Sequence, residues 1–162
     1  MLSPISHQNK NSSFRITHRE TMDPFTIART AISLASACQS LYLFLKKVRD
    51  GDPTIIGLRK EIRELETTVE AVRSVADSSL VTQLVARQWR GVHRTLRECE
   101  KTVQELIAIM GRPDSTLRDD LIQRLWKQMK ISGFKAEDIA ALQSQMASNR
   151  QTLNLSLQVI IL

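Results

Sequence analysis

A chain of 162 residues and 18.4 kDa has room for one hydrophobic core and is too short for two ordinary domains. Hydrophobic residues make up 42% of it and aromatics only 4%, and no alternating β-branched or aromatic run bounded by turn residues occurs, which excludes a β-rich fold. The net charge of +6 admits nucleic acid or anionic lipid as a partner and by itself selects neither.

Residues Met1–Thr21 are polar and acid-poor and contain no apolar core of a secretory signal. Their composition favours a disordered tail and leaves a mitochondrial transit peptide open. Met22 offers a second start of translation beside Met1. Asp23-Pro24 then reads as a helix start, because the carboxylate accepts from free N–H groups and Pro at the first helical position gives up an N–H that lacks a partner anyway. The first helix runs to about Val48 or Asp50, with Gly51 as a stop. Between Phe25 and Leu45 its only charge is Arg29, so a central or otherwise covered position is expected.

Asp52-Pro53 repeats the start signal. The second helix carries Ile55, Leu58, Ile62, Leu65, Val69 and Val72 at alternating steps of three and four. Arg59, Lys60, Glu61, Arg63, Glu64, Glu66 and Glu70 read as its solvent face, and Asp77-Ser78-Ser79 as the next turn or cap. In the third helix Val85, Trp89, Val92, Leu96, Cys99, Val103, Leu106 and Met110 form a regular stripe that must face another helix. Gly111 and Pro113 end it. Asp114 or Ser115 caps a shorter helix through the apolar series Leu117, Leu121, Leu125 and Met129, and Ile131–Lys135 reads as a turn.

The last helix starts near Ala136 and shows Ile139, Leu142, Met146, Leu153, Leu157 and Ile160. Asn149 falls on that stripe, where a buried Asn fixes register at some cost in stability. The expected fold is all-α: an antiparallel helical bundle of four long helices plus one short helix over residues 22–162, after a disordered tail over 1–21. The chain ends uncapped on Val159-Ile160-Ile161-Leu162, as a piece of a longer protein or a gene written short would.

No phosphate-binding loop, dinucleotide fingerprint or zinc-protease helix occurs, and His7, His18 and His93 are scattered. No enzyme, catalytic residue, metal site or cofactor is expected. Cys38 and Cys99 lie on apolar helix faces as small hydrophobes, which fits a reducing, cytoplasmic setting.

Met22-Asp23-Pro24-Phe25, running into the apolar helix Thr26–Leu45, resembles the start of the fungal HeLo-like N-terminal domain of STAND proteins, the NACHT or NB-ARC receptors of NLR-like type. The stretch Leu96-Arg97-Glu98-Cys99-Glu100-Lys101-Thr102-Val103-Gln104-Glu105-Leu106 is similar to that group's third helix. Leu125-Trp126-Lys127, Ile139–Leu142 and Asn149–Leu157 resemble its closing helices. The resemblance implies an effector or adaptor module that self-associates, with itself or with related STAND proteins, and disturbs the plasma membrane in regulated cell death such as heterokaryon incompatibility. The chain carries no NTPase, so a stand-alone effector, a regulator of full-length relatives and a truncated remnant all stay open. A plain helical protein-interaction domain without membrane activity is the alternative.

Two groups of residues are candidates for a membrane or partner surface. On the first helix they are Phe25, Ile27, Ile32, Leu34, Leu41 and Leu45: its twenty-one residues from Phe25 reach about 30 Å, although Arg29, Gln39 and several Ser and Thr reduce the apolarity. On the third they are Arg87, Arg90, Arg94, Arg97 and Lys101, a basic row opposite the core stripe that would attract anionic lipid. Nucleic acid is not expected as a partner, since no DNA-reading fold is recognisable.

Overall fold

The computed structural model describes residues 23–49, 51–78, 86–111, 116–131 and 136–161. Five helices account for nearly all of them: α1 (Pro24–Lys47), α2 (Pro53–Ser78), α3 (Ala86–Ile109), α4 (Asp119–Ile131) and α5 (Ala136–Ile161). The tail read over residues 1–21 lies outside the described residues.

Both Asp-Pro starts form as their chemistry requires. Asp23 Oδ1 accepts from the Phe25 N–H at 3.1 Å, and Asp52 Oδ1 from the Thr54 N–H at 2.9 Å. At the other end of α3, Gly111 takes a φ of +68°, a left-handed turn that costs a glycine nothing. The helix α2 continues through Asp77 and Ser78, the last described residues of the stretch read as a turn or cap, and Ser79 lies outside the described residues.

The four long helices form a square. α1 packs on α2 and on α3, and α5 closes the other side against α2 and α3. Gly57 lies against Gln143, and Glu61 and Glu64 against Arg150, so residue numbers rise together along α2 and α5 and these neighbours run the same way. Had Gly57 a Cβ, that atom would sit 2.9 Å from the Gln143 side chain, which shows how near the two helices come.

The expected stripes are the core. Ile55, Leu58, Ile62, Leu65, Val69 and Val72 of α2 are fully buried, as are Trp89, Val92, Leu96, Cys99, Val103 and Leu106 of α3. Ile139, Met146 and Leu153 of α5 join them. Two expectations need correction. Leu121 and Leu125 of α4 are exposed, and Ile122 and Trp126 are buried instead, with Leu117 and Met129 partly buried. Steps of four residues advance about 40° beyond a full turn each, so the series Leu117 to Met129 winds around the helix rather than lining one side. Gln123 fixes the actual facing: its side-chain amide donates to Lys47 O at 2.6 Å and accepts from the Arg49 N–H at 3.1 Å. It thereby satisfies backbone groups at the C-terminus of α1. The second correction concerns Glu61, which belongs to the interior of the α2–α5 contact and not to a solvated face.

Candidate functional site: a basic row on the third helix

Residues at alternating steps of three and four share one side of a helix. Arg87, Arg90, Arg94, Arg97 and Lys101 follow this spacing on α3, and all five are exposed. Because Trp89, Val92, Leu96 and Cys99 turn into the core, the row faces away from the bundle. The stretch from Ala86 to Arg97 contains four arginines and no carboxylate. Arg97 Nη1 lies 2.8 Å from Glu100 Oε2, which neutralises the fourth member of the row. Lys101, further on, shares a groove of about 350 Å³ with Glu98, Glu105 and Gln145. The uncompensated part of the row is therefore Arg87, Arg90 and Arg94.

The six α1 candidates do not form one surface. Ile27, Leu34, Leu41 and Leu45 are core residues, with Leu34 and Leu41 only 1% exposed. Phe25 and Ile32 point outward, 66% and 47% exposed, on a side of α1 that also holds Arg29, Ser33, Ser36 and Leu43. The expectation of a covered helix holds for one side only, because neighbours reach α1 from α2, α3 and α4 and leave its remaining side to solvent. Among the described residues, no helix is long and apolar enough to cross a membrane.

Cys38 of α1 and Cys99 of α3 are free and fully buried. Burial pushes both thiols from the ordinary 9.0 up to about 12. In the native chain neither should react with a thiol reagent at neutral pH, and both should react once denaturant unfolds it. Rapid native labelling would show that the core opens. Stability should also fall as pH rises from about 9 towards about 12, because the unfolded thiols ionise first and the native ones still hold their protons. A Cys38→Ala/Cys99→Ala variant should show a shallower alkaline fall in urea titrations.

Among the described residues, no group of three or more His, Cys, Asp or Glu side chains is arranged to hold a metal ion. Two features escaped the sequence reading. One is the pairing of Arg150 with Glu61 and Glu64, whose partners are 89 residues apart in the case of Glu61. The other is a cleft that brings Lys46 of α1 beside Arg59, Lys60 and Arg63 of α2. The near repeat of cations at 59, 60 and 63 was visible, but only the antiparallel pairing of α1 with α2 adds Lys46 to it. Comparison with protein-family models, curated proteins and solved structures found no match to this chain.

Proposed function

We propose that this chain is an effector or adaptor module of fungal NLR-like signalling that works by self-association and by docking on an anionic membrane surface. The observation that carries the docking is the outward row of Arg87, Arg90 and Arg94, three guanidinium groups on a rigid helix with no ion-pair partner among the described residues. Each basic residue held near an anionic leaflet contributes about 1 kcal/mol, and the attraction fades over about 10 Å at ordinary salt. Three or four such residues give reversible attachment, not insertion. The apolar residues Ile27, Leu34, Leu41 and Leu45 support the reading only for a state in which α1 leaves the bundle, since at rest they fill its core. Regulated cell death is the outcome that the family resemblance implies for such a module, and related STAND proteins are its expected partners.

Sedimentation with phosphatidylserine vesicles tests this reading. The wild-type chain should bind them and ignore neutral vesicles, and raised salt should release it. Arg87→Glu/Arg90→Glu/Arg94→Glu should abolish binding and leave the helical circular dichroism spectrum intact. Ile32→Asn, at an exposed position, should keep binding and reduce leakage from the vesicles. Leu34→Asn is no substitute, because it would place a polar group in the core. If the wild-type chain fails to bind even when fused to an oligomerising tag, the membrane reading is wrong. A plain protein-interaction domain then takes its place. That second reading has its own support in Leu155 and Val159, which are four residues apart on one face of α5 and 64% and 55% exposed.

A further inference from the structure

On the outer side of the bundle, α1 and α2 bound a cleft of about 500 Å³ lined by Tyr42, Lys46, Arg59, Lys60, Arg63 and Glu64. Four of these six side chains are cations and one is an anion. That anion is largely engaged elsewhere: Glu64 Oε2 lies 2.9 Å from Arg150 Nη2, whereas its other oxygen is 3.9 Å from Lys60 Nζ. Arg63 is held in place from two sides. Its Nη1 meets Glu66 Oε2 at 3.1 Å, and its guanidinium carbon lies 5.2 Å from the centre of the Tyr42 ring. Lys46 and Arg59 have no ion-pair partner among the described residues.

Arg63 and Lys60 have carboxylates near them, which leaves Lys46 and Arg59 as the cleft's uncompensated charges, and an entering anion would offset the repulsion between these neighbouring cations. We propose that the α1–α2 cleft is a binding site for a compact polyphosphate, of the kind carried on a phosphorylated inositol ring. The cleft volume falls in the range of small-ligand sites, roughly 300–1,000 Å³. One phosphate would bridge Lys46 and Arg59, and a second would meet Lys60 and the edge of Arg63. Arginine offers a planar fork that matches phosphate oxygens, and lysine a mobile point charge that adapts to their spacing. The stacking of Arg63 on Tyr42 fixes one donor before the ligand arrives, which lowers the ordering cost of binding. It also occupies a face of the ring, so the site is suited to a saturated ring carrying phosphates and not to a nucleobase that must stack. This site is on other helices than the α3 row and does not depend on the membrane reading.

Calorimetric titration of the whole chain with inositol trisphosphate tests the proposal, together with amide shift mapping. Binding should saturate at one equivalent, with the largest shifts in Tyr42, Lys46, Arg59 and Lys60. Lys46→Gln/Arg59→Gln should weaken it by on the order of tenfold or more. Arg124→Gln/Lys127→Gln, which removes the same charge from the exposed side of α4, should leave it unchanged. If the first double variant loses its helical spectrum, Lys46→Gln alone serves, with a loss of several-fold expected. Vesicles of phosphatidylcholine containing phosphatidylinositol bisphosphate separate the sources. Cleft-dependent capture on them assigns a lipid headgroup, and binding of the soluble probe alone assigns a free polyphosphate. Absence of saturable binding to either, or equal loss in the two double variants, would overturn the site.

Discussion

Trp89→Ala should destabilise the bundle by about 3–5 kcal/mol and Leu96→Ala by about 2–5 kcal/mol, read from urea titrations followed by circular dichroism. Both side chains are fully buried on the inner stripe of α3, where α1 and α5 pack against it. Truncation removes apolar contact and leaves a cavity that rigid helices fill only in part. Set against a total of about 5–15 kcal/mol for an ordinary domain, either change removes a large share of the stability. Arg94→Ala, on the same helix but facing out, should cost less than about 1 kcal/mol. Trp89 adds a finer comparison. Its indole Nε1 is buried and finds no hydrogen-bond partner among the described residues. Trp89→Phe loses some contact area but also removes that unsatisfied donor, so it should cost much less than Trp89→Ala. Equal losses at Leu96 and Arg94 would mean that α3 is turned the other way.

The core was legible because burial on a helix imposes a period, and the period survives in the sequence. Ile55 to Val72, Trp89 to Met110 and Ile139 to Leu157 all keep it, and all turn inward. The basic row was legible for the same reason, as the complement of a stripe. The short helix α4 was misread because it has only about three turns, which is too few to separate a straight line of residues from a winding one. Its facing depends on Gln123 meeting the end of α1, a contact between residues more than seventy positions apart. The charge contacts between helices were hidden altogether. A charge on a helix carries no mark of what lies opposite, so Glu61 resembles Arg59 and Lys60 until α5 is docked. The charged cleft escaped for the same reason, since it belongs to two helices and to neither alone.

Arg150→Ala should destabilise the bundle by about 2–4 kcal/mol, far more than loss of an exposed arginine. Arg150 Nε lies 2.7 Å from Glu61 Oε1, and its Nη2 lies 2.9 Å from Glu64 Oε2. Glu61 is 8% exposed, so its carboxylate cannot recover by hydration what it loses when the guanidinium is removed. The hydrogen bond that Arg150 donates to Glu61 also raises its pKa further, which keeps the guanidinium charged at any ordinary pH. The geometry follows from heptad positions. With Ile62 and Met146 at position a, Glu61 falls at g of α2 and Arg150 at e of α5, the positions that pair between parallel helices. Asn149 lies beside this contact and is buried, with its Oδ1 accepting from Gln145 Nε2 at 3.1 Å. The clasp sets how far α5 is advanced along α2, because a slip of one turn would strand the buried Glu61 carboxylate, whereas the bond of Asn149 lies within α5. A double-mutant cycle separates alignment from strength. Glu61→Leu/Arg150→Leu should recover most of the stability lost in Arg150→Ala, since an apolar pair of similar reach needs no desolvation. It should also broaden the amide spectrum of α5 if the ion pair fixes alignment. Full stability together with an unchanged, sharp spectrum would assign the alignment to the apolar stripes and the close approach of Gly57 to Gln143 instead.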